Sequence, residues 1–216
     1  MQMKVYNFGS SHASGYGCDV SYAQHISNIL NAELIDFASP GRCLHHTLAM
    51  LIVNQKKINT EDVVLVQLRH LQDTDLFVQD NHDGTHNLLS LYSIGQIEKI
   101  ADRDLARALE QYKALVANPE YYAFMHALNT RNIVNAVSLL NCRSFLYFDY
   151  LLEKKTVTHP VIKDITSVAY CEMIDQLSLS EFASDLNFDT SSNVNDSVHY
   201  NNLTHQAWAE YILTKL

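Results

Sequence analysis

Glycine and proline are scarce in this sequence: six of its 216 residues are glycine and three are proline. The glycine content is less than half of the roughly 7% found in an average protein. Collagen-like, low-complexity and disordered chains need far more glycine, proline or net charge than this, so these classes are excluded. Four of the six glycines, Gly9, Gly15, Gly17 and Gly41, lie within the first 41 residues. This concentration indicates a local need for backbone conformations that other residues avoid.

Basic residues are also few. The chain has 15 lysines and arginines against 24 acidic residues, for a formal net charge of −9. No basic stripe is available to neutralise a phosphate backbone and release its counterions. We therefore expect no nucleic-acid partner.

Long apolar runs and paired cysteines are missing too. No run approaches the ~18 apolar residues of a membrane span, and the N-terminus turns polar at Asn7 before a signal-type apolar region forms. The four cysteines contain no Cys-x-x-Cys pair, which favours free thiols over a disulfide framework or a zinc site. These features predict a soluble, cytoplasmic protein without a membrane span.

The first 70 residues alternate short apolar runs with helical periodicity, a pattern typical of βαβ units around a parallel sheet. The run at 62–68 is almost unbroken, as in a strand buried on both faces. The predicted strands lie at 3–8, 33–37, 62–68 and 144–148, and the predicted helices of this first part at 20–31 and 43–55.

The middle of the chain is less regular. The stretch from Arg69 to Tyr92 is polar, with an exposed loop predicted at 82–86. A helical stripe follows over 97–115, and Asn118 and Pro119 then predict the N-cap and first residue of a helix that extends to about Leu140.

The last third is predicted only in part. The order of elements from about 151 to 187 stays open, although Ser178 and Glu181 have the spacing of a capping box. A polar loop over 187–200 leads into a terminal helix over 201–216. Neither an internal repeat nor a linker is visible, so we expect one domain over 1–216 with a helical insertion at about 95–141. That insertion has two open interpretations, a cap over the site and a subunit contact in a homo-oligomer.

Ser11 is a candidate nucleophile. It follows the first predicted strand within Phe8-Gly9-Ser10-Ser11, where a glycine permits a sharp exit and leaves a hydroxyl at the carboxyl edge of the sheet. A simple turn explains the same pattern. A phosphate-cradling loop is not supported, since neither Gly-x-Gly-x-x-Gly nor Gly-x-x-x-x-Gly-Lys is present.

A serine nucleophile needs a base, and the base needs a group that orients it. An Asp-x-x-His turn can bring a carboxylate against imidazole Nδ1 and leave Nε2 facing the serine. The chain has two such pairs, Asp83/His86 and Asp196/His199. The second lies in a polar loop just before the terminal helix, whereas the first lies in a loop with no strand signal directly before it.

Three segments together resemble the SGNH (GDSL-type) hydrolases. Residues 9–15, Gly-Ser-Ser-His-Ala-Ser-Gly, look like the family's Gly-Asp-Ser-x-x-x-Gly block. Residues 37–41 are similar to the second block, whose glycine donates a backbone N–H to the oxyanion. Residues 196–205 look like the last block, Asp-x-x-His-Pro-Asn-x-x-Gly-His. The order and the places relative to the strands match the family, over roughly residues 1–70 and 187–216.

The resemblance implies a flavodoxin-like three-layer α/β/α fold, with a parallel sheet of about four to five strands, and acyl-ester chemistry. Ser11 would attack the acyl carbonyl, His199 would act as general base and then general acid, and Asp196 would hold the correct tautomer. The backbone N–H groups of Ser11 and Gly41 would face the oxyanion.

The sequence departs from the family pattern at three places. Ser10 replaces the aspartate of the first block, and Tyr200 replaces the proline of the last. The third block, Gly-x-Asn-Asp, is missing, so the side-chain donor to the oxyanion is unassigned. Gln67, Arg69 and His70 are candidates, and Gln67 is equally well interpreted as a satisfied polar residue at a strand end.

Positive charge follows the second and third strands. Arg42, Arg69 and His70 would lie near the same sheet edge, where they would favour an anionic substrate such as an acidic sugar ester. Ordinary surface and core positions are the alternative.

The sequence thus favours an esterase or deacylase acting on a small-molecule or glycan ester. Two alternatives stay open: an acyltransferase with the same triad, and an inactive binding or structural module on the same fold. No cofactor or metal is implied, because the helical spacing of His82 and His86 is interrupted by Asp83-Gly84.

Overall fold

The computed structural model describes residues 2–69, 75–79, 86–90, 103–116, 119–149, 178–185 and 199–216. Its strands are β1 Lys4–Phe8, β2 Glu33–Asp36, β3 Val63–Leu68, β4 Asp75–Gln79, β5 His86–Ser90 and β6 Arg143–Phe148. Its helices are α1 Tyr22–Ile29, α2 Leu44–Asn54, α3 Arg103–Val116, α4 Pro119–Ser138, α5 Leu179–Asp185 and α6 Asn202–Leu213, and α2 runs on into a short 3-10 turn over Gln55–Lys57.

The main sheet has four parallel strands in the order β2-β1-β3-β6. Its register places Val5 beside both Leu34 and Val63, and Val63 beside Arg143. Because all four strands run the same way, their carboxyl ends meet at one edge of the sheet. The predicted α/β class with a parallel sheet is confirmed.

Side chains along the inner strand β3 alternate between two separate hydrophobic clusters. Val63 and Leu65 pack with α1, α5 and α6, whereas Val64 and Val66 pack with α2 and α4. Alternation of side chains along a strand puts these clusters on opposite faces of the sheet. The arrangement is therefore the expected three layers, with helices covering both faces of a buried sheet.

The polar stretch after β3 contains two strands, whereas the sequence predicted only an exposed loop within it, at 82–86. Residues 75–79 and 86–90 form an antiparallel two-stranded ribbon, with Phe77 paired to Leu88. The sequence of β4 holds a short apolar run at 76–78, but polar residues flank it closely on both sides, and the pairing with β5 defines it as a strand. No strand signal was found in the sequence directly before the Asp83/His86 pair, whereas β4 ends at Gln79 and His86 begins β5. Residues 80–85 lie outside the described ranges.

The helical middle follows its prediction more closely. α4 begins at Pro119, as expected, and its Ile133 and Val137 are buried in the cluster that also contains Val64. α4 is thus packed against the sheet as a crossover between β3 and β6. Positions 97, 100 and 101 of the predicted stripe lie outside the described residues, and the division of the chain into one domain stays a prediction.

Two predicted helix starts are confirmed by their caps. Ser178 Oγ accepts the N–H of Glu181 at 3.2 Å, and the Glu181 carboxylate accepts the N–H of Ser178 at 2.8 Å. These reciprocal bonds are a capping box. The side chain of Asn201 likewise accepts the N–H of Thr204 at 3.0 Å at the start of α6. The thiols of Cys18, Cys43 and Cys142 are not joined in disulfide bonds, and no helix in the described parts of the chain is long and apolar enough to cross a membrane.

Candidate active site

The segment over residues 9–16, called here the Ser11 loop, leaves the carboxyl end of β1 in a tight coil. The N–H of Ser14 donates to the Ser10 carbonyl at 2.9 Å, and the N–H of Tyr16 donates to the Ser11 carbonyl at 2.9 Å. Ser10 and His12 are 1% and 3% exposed, whereas Ser11 is only half-buried. The coil therefore turns Ser11 outward between two buried neighbours.

Gly9 makes the exit from β1 possible. Its φ is +154°, and a Cβ at this position would lie 2.7 Å from Cβ of Ala13 and 2.7 Å from Cβ of Gln67. Real Cβ atoms do not approach so closely, so a side chain here would force the Ser11 loop away from β3. The sequence predicted a sharp turn at Gly9, and the structure shows the steric reason why glycine is needed there.

Two buried polar side chains of the sheet anchor the loop from below. Asn7 Nδ2 donates to the Ala13 carbonyl at 2.9 Å, and Tyr22 OH donates to Asn7 Oδ1 at 2.8 Å. Gln67 Oε1 accepts the N–H groups of Ser10 and Ala13 at 3.0 and 2.9 Å. The role of Asn7 was not foreseen from the sequence, although a polar residue inside an apolar strand was the available signal.

The Gly41 turn, Ser39–Arg42, lies beside this loop. The N–H of Arg42 donates to the Ser39 carbonyl at 3.3 Å, and Gly41 has a φ of +76°. Pro40 followed by a glycine with positive φ defines a type II turn. The N–H of Ser39 also donates to the Gly9 carbonyl at 3.2 Å. The turn that carries Gly41 is therefore joined through Ser39 to the start of the Ser11 loop.

His199 lies against the Ser11 loop from the other end of the chain. The centre of its ring is 5.1 Å from that of His12 and 5.0 Å from that of Tyr16. Its side chain is half-buried. The structure thus brings the loop of Ser11 and His199 together at one edge of the sheet. Asp196 lies outside the described residues.

The segment that follows His199 is fastened to the chain after the Ser11 loop. Cys18 Sγ donates to the Tyr200 carbonyl at 2.6 Å, and Asn202 exchanges two hydrogen bonds of 2.9 Å with Asp19. Burial and the Asp19 carboxylate raise the pKa of Cys18 to about 11. The Cys18 thiol is therefore protonated at neutral pH and can donate to the Tyr200 carbonyl. These bonds fix where His199 enters the site.

His205, the last histidine of the resemblance, is a structural acceptor. Its Nδ1 accepts the N–H of Tyr22 at 3.2 Å, and its ring stacks on that of Tyr22. Burial, together with repulsion from His12, His25 and His199, lowers the pKa of His205 to about 3. The imidazole is therefore neutral at pH 7, with its proton on Nε2 because Nδ1 is an acceptor.

The predicted substrate-binding arginines are neighbours. Arg69 Nη1 donates to the Arg42 carbonyl at 3.0 Å, and a ring nitrogen of His126 contacts the Arg69 carbonyl. The Arg69 guanidinium thus reaches across the sheet edge to the Gly41 turn. His70 lies outside the described residues.

Gln67 occupies a place below the Ser11 loop. Besides its contacts to the loop, its Nε2 donates to Asp149 Oδ2 at 3.2 Å, and Gln67 is fully buried. The sequence left two interpretations of Gln67 open, an oxyanion donor and a satisfied polar residue at a strand end. These contacts are those of a satisfied polar residue. Across the residues that the structure describes, no three His, Cys, Asp or Glu side chains are grouped to hold a metal ion.

Comparison with known proteins gives a likeness of structure only. No protein-family model matches the chain, and no curated protein matches it in sequence. Among solved structures, it is similar to a lipolytic protein of the G-D-S-L family from Veillonella parvula, at 10% identity and a TM-score of 0.47, covering 99% of this chain and 100% of that one.

Two further structures are similar at the same level. The psychrotrophic esterase EstA from Pseudoalteromonas sp. has 10% identity and a TM-score of 0.49, over 98% of this chain and 94% of that chain. A carbohydrate esterase family 2 enzyme from Corynascus thermopiles has 13% identity and a TM-score of 0.49, over all of this chain and 65% of that one. At such identities and TM-scores, these likenesses assign neither a family nor an activity to this chain.

Proposed function

We propose that this protein is a serine-dependent ester hydrolase that works through an acyl-enzyme on Ser11. The observation that carries the proposal is the contact of the His199 ring with His12 and Tyr16 of the Ser11 loop. Nucleophile and base must meet for acyl transfer, and these two segments are separated by nearly the whole chain. Their meeting at the carboxyl edge of a parallel sheet is where open α/β folds bind ligands.

The Gly41 turn supports the same chemistry. Its bond to Gly9 places a second loop beside Ser11, and the hydrogen bond that closes the turn uses the N–H of Arg42 rather than that of Gly41. The N–H groups of Ser11 and Gly41 would stabilise the negative oxygen that forms when the carbonyl is attacked. One such donor is worth roughly 10²–10³ in rate.

The reaction then has two halves. In the first, Ser11 Oγ attacks the carbonyl carbon, His199 takes the hydroxyl proton and gives it to the leaving alcohol, and the acyl group stays on Ser11. In the second, His199 takes a proton from water, which attacks the acyl carbonyl, and gives that proton to Ser11 Oγ as the acid leaves. Asp196 is proposed to hold the His199 tautomer in both halves.

The proposed substrate is a small-molecule or glycan ester with an anionic group. The bond from Arg69 to the carbonyl of Arg42 keeps one guanidinium beside the Gly41 turn. In a protein of net charge −9, a local cation beside the reacting carbonyl would select for a nearby negative charge on the substrate.

Hydrolysis of p-nitrophenyl acetate by purified variants tests the proposal. Ser11→Ala and His199→Ala are each expected to lower kcat by at least about 10³-fold. Ser138→Ala, an exposed serine at the end of α4, is the matched control and should keep the wild-type rate. Equal rates in wild type and Ser11→Ala would contradict the proposal. Adding an acceptor alcohol to the same assay separates water from transfer, since a transferase would form the new ester in its presence.

A further inference from the structure

A chain of three buried polar groups lies beneath the Ser11 loop. The Ser10 hydroxyl is 3.3 Å from Gln67 Oε1, and Gln67 Nε2 is 3.2 Å from Asp149 Oδ2. Ser10, Gln67 and Asp149 are 1%, 0% and 1% exposed. At such burial each hydrogen bond needs a matched donor and acceptor, because water is not available to correct a mismatch.

The direction of the Gln67 amide is fixed by chemistry. The N–H groups of Ser10 and Ala13 can only donate, so the atom that faces both of them must be the amide oxygen. The amide nitrogen then faces Asp149, whose carboxylate accepts. Asp149 follows β6 directly, and its own N–H donates to the Leu68 carbonyl at 3.2 Å. The carboxylate therefore comes from a rigid neighbouring strand end.

The serine at position 10 fits this direction of hydrogen bonding. The family block that residues 9–15 resemble has an aspartate there, and a carboxylate facing Gln67 Oε1 would bring two acceptors together in a water-free site. A hydroxyl can donate to the amide oxygen, which already accepts the N–H groups of Ser10 and Ala13, and so places no second acceptor against it. Ser10 and Gln67 thus form a matched pair.

We propose that Gln67, oriented by Asp149, is the positioning residue of the nucleophile, and that Ser10 departs from the family pattern because it donates to Gln67. This inference rests on the proposed function of Ser11. Gln67 holds the N–H groups on both sides of Ser11, one residue before it and two after it. Rotation of its amide would shift the Ser11 hydroxyl against His199 and lower the rate of attack without changing substrate contacts.

Reaction of Ser11 with a fluorophosphonate probe, followed as the maximal rate kinact and the binding constant KI, measures the effect. Gln67→Glu keeps the shape but removes the donor to Asp149, so that two carboxylates face each other until one of them takes up a proton. Its kinact is expected to fall at least about tenfold below wild type near pH 8, with KI unchanged. The ratio to wild type should recover as the pH falls to about 5.5 and that proton is taken up.

The double variant Q67E/D149N again pairs each donor with an acceptor. It moves the carboxylate from position 149 to position 67. The introduced carboxylate accepts the N–H groups of Ser10 and Ala13, and the introduced amide donates to it. We expect a kinact within about threefold of wild type and no extra dependence on pH. Gln55→Glu, an exposed glutamine after α2, is the matched control and should label like wild type.

Ser10→Asp tests the same pair from the other side and leaves Gln67 intact. The introduced carboxylate is expected to slow kinact about tenfold near pH 8 and to recover at low pH, where a protonated carboxyl again donates to Gln67 Oε1. This variant and the double variant decide the question even where Gln67→Glu alone fails to fold, which circular dichroism reports.

The outcomes separate the two proposals. A folded wild type without labelling at Ser11 defeats the proposed function itself. Labelling of wild type together with a folded Gln67→Glu or Ser10→Asp that keeps the wild-type kinact overturns the positioning role alone. A folded double variant that stays as slow as Gln67→Glu overturns the part assigned to Asp149.

Discussion

The backbone N–H of Ser39 donates to the carbonyl oxygen of Gly9 at 3.2 Å. This bond continues the pairing of β2 with β1 beyond the ends of both strands. It joins the turn that carries Gly41 to the loop that carries Ser11. Two proposed oxyanion donors, 30 residues apart in the sequence, are therefore set relative to each other by a main-chain contact that depends on no side chain.

Gly41→Ala is expected to lower kcat about 10- to 100-fold with little change in KM, because the positive φ of +76° is unfavourable for alanine and the turn relaxes away from the oxyanion. Asn141→Ala is the matched control, since it puts alanine at a φ of +47° just before β6, at the opposite sheet edge. Steady-state kinetics on one neutral ester compare them. Equal losses of kcat in both variants would count against an oxyanion role for Gly41.

Asp196→Asn is expected to lower kcat by about 10³–10⁴-fold, because an amide favours the wrong tautomer of the proposed base His199. Asp83→Asn changes the other Asp-x-x-His pair of the chain and should keep the wild-type kcat. The pair of variants therefore decides which carboxylate serves the base. A large loss in Asp83→Asn with none in Asp196→Asn would move the proposed triad to His86.

Arg69→Ala is expected to raise KM for an anionic ester about tenfold more than for a neutral ester of the same acyl group. The physical reason is the loss of the cation that Arg69 places beside the Gly41 turn. Arg143→Ala is the control. It removes an exposed arginine at the amino end of β6, at the sheet edge away from the proposed site, and should leave both KM values unchanged. Equal changes in KM for the two esters would refute charge selection.

His205 should make stability depend on pH. Its folded pKa is lowered to about 3 from 6.5, so the unfolded chain binds a proton that the folded chain excludes. The contribution of neutral His205 to the free energy of unfolding is fully present above pH 6.5, and it is lost progressively as the pH falls from there towards 3.

The matched variant for this effect is His205→Gln, which keeps an acceptor for the Tyr22 N–H. Between pH 7 and pH 5 the free energy of unfolding should fall by about 2 kcal/mol more in wild type than in the variant. Urea denaturation at the two pH values measures the difference. The same fall in both proteins would show that His205 is not the group responsible.

The sequence predicted the parallel sheet well because each of its strands carries a strong local signal. The apolar run at 62–68 became β3 at Val63–Leu68, and the serine and glutamate of the capping box are only three residues apart. The ribbon of β4 and β5 was missed because the apolar run at 76–78 is short and lies in a polar stretch, and its pairing with 86–90 does not show in the sequence.

The candidate site was likewise predicted only in part. Ser11, Gly41 and His199 were predicted from short motifs, and the structure brings their segments to one edge. The contacts of Gln67 were not foreseen, since its partners Ser10 and Asp149 are 57 residues before it and 82 after it. Spacing in a sequence does not reveal such hydrogen bonds, because they depend on which strand ends become neighbours.

The central claim is that Ser11 is the nucleophile and His199 its base. The most direct test is labelling of the folded protein with a fluorophosphonate, followed by peptide mass mapping of the adduct in wild type, Ser11→Ala and His199→Ala. We expect one adduct on Ser11 in wild type, none in Ser11→Ala, and a rate at least about 10²-fold lower in His199→Ala. Absence of a Ser11 adduct in the folded wild type, or an adduct on Ser10 or Ser14 instead, would contradict it.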